Sequence, residues 1–213
     1  MSRREYVAVM AASLIVVVLG ALVARDGTVP GWEEALFRAV NDLPGALYPL
    51  LWPIQQLGVV VVGPIVAIVA LLLRRWWLAI AATIATIAKL ISERIVKALV
   101  TRERPGTSIG PNIHTRGDVS VTGESFVSGH AILVAALAGI VTPYLPGRWK
   151  VVPWLLVGLV MFARVYVGAH NPLDVICGAA LGVAIACAIN FILDASRRRN
   201  TPAPTPNPTH HQH

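Results

Sequence analysis

The chain has 213 residues, of which 55% are hydrophobic and only 14% are charged. This composition excludes an ordinary soluble domain and predicts a membrane protein. The net charge of +7 fits loops that face anionic lipid headgroups, and no nucleic-acid-binding module is recognisable. Because apolar segments occupy most of the chain, we expect a single membrane-embedded domain over residues 1–199.

Six apolar segments are candidate membrane-spanning helices, since a hydrocarbon core of roughly 30 Å requires about 20 helical residues. They lie near residues 6–24, 55–73, 78–100, 126–145, 151–169 and 172–194. The first segment ends in Leu22-Val23-Ala24-Arg25, where a signal-peptide cleavage site would need a small residue in place of Leu22, so we expect a retained anchor. The predicted fold class is all-α, an integral membrane bundle of six transmembrane helices.

Two segments lie outside the predicted bundle. Trp32, Leu36, Phe37 and Val40 recur at helical spacing, which predicts a short amphipathic helix over residues 32–41. This helix is expected to lie on the membrane surface or to cap the bundle on the extracytoplasmic side. Residues 200–213 are rich in proline and contain no large apolar side chain, which predicts a disordered tail.

Basic residues at alternate span ends indicate the orientation. They form four clusters close to the ends of the apolar segments: Arg3/Arg4, Arg74/Arg75, Arg148/Lys150 and Arg197/Arg198/Arg199. Positive residues in short loops favour the cytoplasm. We therefore expect a multi-pass protein of the plasma (inner) membrane with both termini in the cytoplasm.

Three groups of polar residues stand at span ends that alternating spans place on one side of the membrane. Lys97 and Arg104-Pro105 follow the third segment, Ser128-Gly129-His130 opens the fourth, and the third group joins the fifth segment to the sixth. That third group consists of Arg164, His170 and Asp174. Ionisable residues in such places are costly unless they have a function, so their convergence predicts one site.

The residue types satisfy the requirements of phosphoryl transfer, which are a nucleophile, positive charge on the non-bridging oxygens and an acid for the leaving group. Lys97, Arg104 and Arg164 supply three positive charges, and the arginines can each bind two oxygens. Asp174 is one helical turn after His170, where it can accept a hydrogen bond from one ring nitrogen and direct the other towards phosphorus.

The start of the fourth segment offers two further contributions to phosphate binding. Ser128 and Gly129 stand where a helix begins, so their backbone N–H groups and the helix dipole can stabilise an oxyanion. Gly129 also permits close approach of the chain. No metal or other cofactor is predicted, because the cations take the part of Mg²⁺ and no carboxylate cluster is present to bind one.

The motifs Lys97-x6-Arg104-Pro105, Ser128-Gly129-His130 and Arg164-x5-His170-x3-Asp174 resemble the signature of the type 2 phosphatidic acid phosphatase superfamily. Vanadium haloperoxidases share the site of these lipid phosphate phosphatases. The resemblance implies that Lys97 and the two arginines bind phosphate. It also implies that His130 is the general acid and that His170 is the nucleophile.

Two positions depart from the family pattern. Val127 stands where the family usually has Pro before Ser-Gly-His, and Ala163 stands where it usually has Ser before the arginine of the third motif. Neither change removes a catalytic group. The missing Ser hydroxyl removes a potential contact to phosphate or to a neighbouring side chain, which affects rate and substrate preference.

The resemblance implies an integral membrane lipid phosphatase that hydrolyses a phosphomonoester or diphosphate headgroup through a phosphohistidine. Outward orientation favours polyprenyl diphosphate, with phosphatidic acid or phosphatidylglycerophosphate as the alternative. The partners are then the lipid phosphate and the bilayer, and the sequence makes no prediction of oligomeric state. A lipid phosphotransferase would use the same residues, whereas a non-catalytic lipid-binding protein would be expected to lack His130, His170 or Asp174.

Other charged residues near the motifs have simpler interpretations. Glu93 is four residues from both Lys89 and Lys97 on the third segment. This spacing favours a structural Lys89–Glu93 pair, with positioning of Lys97 as the alternative. Four polar residues of the loop between the first two motifs are expected to be solvated, with contact to substrate as the alternative. They are His114, Arg116, Asp118 and Glu124.

Overall fold

The computed structural model describes residues 1–199, so the predicted tail at residues 200–213 lies outside the described residues. The regular elements of the described residues are all helices, apart from an isolated bridge between Glu103 and Glu124, which confirms the all-α prediction. The helices are α1 (Arg3–Ala24), α2 (Gly31–Asn41), α3 (Tyr48–Gln55), α4 (Val62–Leu72), α5 (Trp76–Leu99), α6 (Pro105–Ser108), α7 (Gly129–Val141), α8 (Val152–Tyr166) and α9 (Pro172–Arg199).

Within residues 1–199, three helical segments are long and apolar enough to cross a membrane. They are Arg3–Ala24, Gly147–Tyr166 and Pro172–Asp194. A fourth is added if Gly45–Gly58 and Val62–Leu72 form one span that is bent by 69°. By length and composition the described residues thus contain three or four spans, and the predicted count of six is not confirmed by this measure.

The bend accounts for the difference at the second predicted span, which was placed at residues 55–73. Helix α3 ends at Gln55, a 3-10 turn occupies Gln56–Gly58, and α4 begins only at Val62. At Gly58 an added Cβ atom would lie 2.6 Å from the Cβ atom of His130. The residues before α4 therefore pack against the side chain of His130, and the chain bends there where an unbroken helix was predicted.

Helix α9 is the centre of the bundle and packs most extensively on α7 and α1. Gly178, Gly182 and Ala186 recur every four residues and form a stripe of small side chains along one face of α9. Gly182 contacts the carbonyl group of Ile132, and Gly139 of α7 faces Ala186. Small residues at this spacing allow the backbones of two membrane helices to approach closely.

The outer surfaces of α1 and α4 are apolar and exposed. On α1, Ile15, Val18 and Leu19 are each more than half exposed, and on α4 Ile68 and Leu72 are exposed in the same way. A helix with apolar residues on its exposed faces requires an apolar environment. These surfaces are therefore suited to contact with lipid tails.

Helix α2 confirms the predicted short helix, but its buried face differs from its apolar stripe. Glu33, Phe37 and Asn41 are fully buried, whereas Trp32 and Leu36 are 56% and 45% exposed. The polar residues are buried because the bundle provides hydrogen-bonding partners for them. Asn41, for example, donates to the carbonyl oxygens of His114 and Tyr166. Helix α2 thus packs on the bundle through a largely polar face.

The close packing of α7 and α9 predicts that Gly182→Ala is destabilising. The added methyl group would overlap the Ile132 carbonyl oxygen and approach Ala135 Cβ to 2.9 Å. We expect a loss of about 1–3 kcal/mol in the free energy of unfolding, the usual cost of overpacking. Gly158→Ala in α8 is the matched control, because a Cβ atom there meets nothing within 4 Å. Thermal unfolding in detergent compares the two, and equal midpoints would contradict the packing argument.

Candidate active site

The last turns of α5 carry a row of alternating charges. Glu93 Oε2 is 2.6 Å from Lys89 Nζ, and Glu93 Oε1 accepts a hydrogen bond of 2.9 Å from Lys97 Nζ. The predicted Lys89–Glu93 pair is therefore present, and the alternative contact with Lys97 is present as well. The carboxylate of Glu93 holds the Lys97 ammonium group in a fixed position near the end of the helix.

The Ser128-Gly129-His130 motif opens α7, as predicted, with Ser128 as its N-cap residue. An added Cβ atom at Gly129 would lie 2.6 Å from the Glu93 carboxyl carbon, so a side chain there would displace the Glu93 carboxylate. The backbone N–H group of Ser128 donates to the carbonyl oxygen of Asp174 at 3.0 Å. It is therefore not free for an oxyanion, which corrects the expectation that both N–H groups would bind phosphate.

The two arginines of the motifs are anchored on different elements. Arg104 precedes α6 and donates through Nη1 to the carbonyl oxygen of Ala169 at 2.9 Å. Arg164, in the last turn of α8, is buried and donates through Nη1 to Gln55 Oε1 at 2.9 Å. Its Nε atom is buried without a protein partner, and so is the hydroxyl of Ser128. Both atoms are suited to binding an added oxyanion.

His170 lies in the link between α8 and α9 and is 3% exposed. Its Nδ1 atom is 3.7 Å from Asp174 Oδ2, beyond hydrogen-bonding distance, and 3.3 Å from the hydroxyl oxygen of Ser125. The Ser125 hydroxyl donates to Asp174 Oδ2. Since its one proton is used there, its oxygen can accept the Nδ1–H of His170. Ser125 therefore bridges the predicted His–Asp pair, and sequence reasoning missed it.

His170 is held as a neutral imidazole. Burial lowers the pKa of His170 well below its ordinary value, and the positive charges of Arg164, Arg104 and Lys97 lower this pKa further. The three cations named by the first and third motifs thus act on one imidazole ring. With Nδ1 directed towards Ser125 and Asp174, Nε2 is the nitrogen that carries the available lone pair.

A cavity of about 390 Å³ adjoins these groups. Arg104, His130 and Arg164 line it together with residues of α3, the 3-10 turn with the residue after it, and the loop before α7. These residues are Tyr48, Trp52, Gln55, Gln56, Val59, Asp118, Val119 and Ser120. The other predicted site residues lie outside its lining: Lys97, Ser128, Gly129, His170 and Asp174. The structure thus brings His130, which the motifs predict as the acid, to one cavity with Arg104 and Arg164, which they predict to bind phosphate.

The loop between the first two motifs is less solvated than expected. Arg116 lies over the ring of Tyr166, 4.0 Å from its centroid, and donates to the carbonyl oxygens of Tyr166 and Leu43. These contacts fix the loop to α8 and to the segment after α2. Asp118 is exposed as predicted, but it stands on the cavity lining.

A second group that sequence reasoning missed surrounds Asp174. Arg102 and Glu33 are both fully buried, and Arg102 Nη2 is 2.5 Å from Glu33 Oε2. Arg102 Nη1 lies 3.3 Å from Asp174 Oδ1. A signal was available in the sequence, because Arg102 adds a further basic residue to a span end that already contains Lys97 and Arg104. No spacing in the sequence connects Glu33 with this site.

The arrangement has the chemical groups for phosphoryl transfer. The neutral imidazole of His170 is suited to act as a nucleophile, and the neighbouring cations are suited to bind an oxyanion. His130, on the cavity lining, is placed where an acid would be needed. Among residues 1–199, no group of three or more His, Cys, Asp or Glu side chains is placed to bind a metal ion.

Comparisons with known proteins identify the family of this chain. The sequence model of the protein family described as PAP2 superfamily matches residues 74–198 of this chain. A protein of Sulfolobus acidocaldarius described as undecaprenyl-diphosphatase is 30% identical over 159 residues, which cover 71% of this chain and 74% of that protein.

Two solved structures share the fold. Aquifex aeolicus LpxE superposes with a TM-score of 0.65 at 22% identity, covering 75% of this chain and 93% of that one. A transmembrane PAP2-type phosphatidylglycerolphosphate phosphatase from Bacillus subtilis superposes with a TM-score of 0.69 at 17% identity. The superposition covers 90% of this chain and 98% of that one. The motifs, the site and the extent of the family match together show that the chain belongs to the PAP2 superfamily of membrane phosphatases.

Proposed function

We propose that this membrane phosphatase hydrolyses a lipid phosphate or diphosphate through a phosphohistidine at His170. The observation that carries the proposal is the buried imidazole of His170, whose Nδ1 atom lies 3.3 Å from the Ser125 hydroxyl oxygen and whose pKa is lowered by burial and by Arg164, Arg104 and Lys97. The cations that keep the ring neutral are also those that would bind the phosphate oxygens. Nucleophile and phosphate-binding groups are thus preorganised together.

In the first step, Nε2 of His170 attacks phosphorus, a P–N bond forms and the P–O bond to the lipid leaving group breaks. His130 donates a proton to the departing oxygen. In the second step His130 accepts a proton from water, whose oxygen attacks phosphorus as the P–N bond breaks and phosphate is released. Ser125 and Asp174 keep the Nδ1–H of His170 directed away from phosphorus in both steps.

We favour a polyprenyl diphosphate as substrate. The support is the Sulfolobus acidocaldarius relative, described as undecaprenyl-diphosphatase, which matches 71% of this chain at 30% identity. Phosphatidic acid or phosphatidylglycerophosphate is the second candidate, since the fold is shared with a phosphatidylglycerolphosphate phosphatase. A phosphotransferase that passes the phosphoryl group to another lipid would use the same residues. A non-catalytic lipid-binding protein would not need a nucleophile, whereas this chain has His170.

We further propose six membrane spans in the plasma membrane, with both termini in the cytoplasm and the site on the extracytoplasmic side. Helix α5 has 24 residues, which correspond to about 36 Å and suffice to cross the hydrocarbon core. The apolar segment Gly129–Tyr144 and the bent α3–α4 pair would supply the remaining spans. The basic clusters at alternate ends favour this orientation.

The direct test of function is phosphate release from a panel of lipid phosphates in detergent. The panel contains a polyprenyl diphosphate, phosphatidic acid and phosphatidylglycerophosphate. We expect the highest kcat/KM with the diphosphate and loss of turnover in His170→Ala, because the substitution removes the nucleophile. Release at the wild-type rate by His170→Ala would contradict the mechanism, and phosphoryl groups recovered on a second lipid would indicate a transferase.

Ser125→Ala is expected to lower kcat while leaving KM unchanged. The hydroxyl bridges His170 and Asp174 and does not line the cavity, so its loss impairs nucleophile orientation and not substrate binding. We expect kcat to fall by about 10–100-fold, by analogy with the loss of a side chain that hydrogen-bonds a metal-binding histidine in other enzymes. Ser120→Ala, a hydroxyl on the cavity lining, is the comparison variant. An unchanged kcat in Ser125→Ala would remove Ser125 from the catalytic arrangement.

The reaction is expected to proceed without a divalent metal ion. Activity should survive saturating EDTA, because Lys97, Arg104 and Arg164 supply the positive charge. Vanadate should inhibit, since it adopts the trigonal-bipyramidal geometry of a transferring phosphoryl group. Steady-state assays with and without EDTA and Mg²⁺ provide the measurement, and a strict requirement for a divalent ion would refute this assignment of the cations.

The proposed orientation is tested by labelling single cysteines in intact cells with an impermeant maleimide. Cys177 and Cys187 are buried and would be replaced first. Ser120→Cys, beside the cavity, should react. Trp149→Cys, in the turn that contains Arg148 and Lys150, should react only after the cells are permeabilised. The reverse pattern would place the site on the cytoplasmic side.

A further inference from the structure

An ion pair outside the three motifs lies directly behind the nucleophile. Arg102 and Glu33 are both 0% exposed and are in contact through two hydrogen bonds, from Nη2 to Oε2 at 2.5 Å and from Nη1 to Oε1 at 3.2 Å. Burying two charges removes their hydration, and an apolar pair of similar volume often stabilises a protein as well. The pair is therefore a candidate for a role in the site.

Both members of the pair reach the segment that carries His170 and Asp174. Arg102 Nη1 donates to Asp174 Oδ1 at 3.3 Å, and Glu33 Oε1 accepts a hydrogen bond of 2.8 Å from the backbone N–H group of Leu173. Leu173 is the second residue of α9, so Glu33 caps this helix from another part of the chain. The start of α9 is thus fixed by both charges.

The two oxygens of Asp174 have separate partners. Oδ2 accepts hydrogen bonds from the Ser125 hydroxyl and from the Asn171 N–H group and faces His170, whereas Oδ1 contacts Arg102. A carboxylate with a partner on each oxygen cannot rotate without losing one of them. Arg102 therefore fixes which oxygen Asp174 presents to Ser125 and His170, and Glu33 fixes Arg102.

We propose that Glu33 and Arg102 are positioning residues for phosphoryl transfer, which hold Asp174 and the start of α9 so that His170 is aligned for attack. This inference rests on the proposed function, since it assumes that His170 is the nucleophile. Neither residue lines the 390 Å³ cavity. Their contacts are with Asp174 and the start of α9, so we expect the pair to act on the rate of the chemical step and not on the affinity for the phosphate group.

The chain contains a matched control for this pair. Glu34 and Arg38 form an ion pair of 2.8 Å on the same helix, α2, with side chains 39% and 40% exposed. Both pairs join a glutamate of α2 to an arginine, but only the Glu33–Arg102 pair is buried and contacts Asp174. An exposed pair of this kind contributes little to stability.

The test compares Glu33→Gln, Arg102→Lys and the double variant Glu33→Gln/Arg102→Gln with the control Glu34→Gln/Arg38→Gln. The double variant removes both charges at once, so neither side chain of the pair remains as an unpartnered buried ion. For each protein, kcat and KM are measured with a diphosphate lipid, the inhibition constant with vanadate, and the unfolding midpoint in detergent. His170→Ala is included as the reference for loss of the nucleophile.

We expect the double variant to lose about 10–100-fold in kcat, as for outer partners of metal-bound histidines, with KM and vanadate inhibition unchanged. Arg102→Lys, which keeps the charge but not the forked geometry, should recover part of this loss. The control should match the wild type. A folded double variant with wild-type kcat, or one in which only KM and vanadate inhibition change, would overturn the inference.

If the double variant does not fold, the kcat of Arg102→Lys is the deciding measurement. A wild-type kcat in Arg102→Lys would also overturn the inference. The two levels of the argument are separable. An active His170→Ala would refute the proposed function itself. An inactive His170→Ala together with a fully active double variant would refute only the role of Glu33 and Arg102.

Discussion

The fully buried carboxylate of Asp174 is the constraint on which this site depends. A charge without water must be satisfied by the protein, and four segments provide the required partners. The loop before α7 contributes Ser125, the link to α9 contributes the N–H group of Asn171, and the segment after α5 contributes Arg102. Helix α2 contributes Glu33, which binds Arg102. Satisfying one carboxylate thus assembles the segments that carry the three motifs.

Positive charge is organised around His170 in a complementary way. The proximity of Arg164, Arg104 and Lys97 disfavours the imidazolium form, and burial acts in the same direction. The cations are kept in place by neutral or acidic partners, which are the Ala169 carbonyl, Gln55 and Glu93. A phosphate group entering this environment would find donors already oriented, so little reorganisation is needed during the reaction.

Much of this arrangement could be predicted from the sequence, because local patterns carried it. The starts of α7 and α9, the amphipathic helix α2 and the residues of the three motifs are all encoded in short stretches of chain. Glu33 and Ser125 could not be predicted in the same way, since their roles arise from contacts between segments far apart in sequence. For Arg102 the only signal was its place in the chain between Lys97 and Arg104. The bend before α4 was missed for a related reason, since Gln55 accepts a hydrogen bond from Arg164 and Gly58 packs closely on His130.

The central claim is that His170 carries the phosphoryl group during turnover. The most direct measurement mixes the enzyme with an aryl phosphate that is labelled on phosphorus and quenches the reaction rapidly. The His130→Ala variant is used because it slows hydrolysis of the intermediate. A good leaving group requires no acid, so the first step should remain fast in this variant. Peptide mass spectrometry should then locate an acid-labile, base-stable phosphoryl group on His170. Phosphate release without any labelled protein, or a label on another residue, would contradict the account.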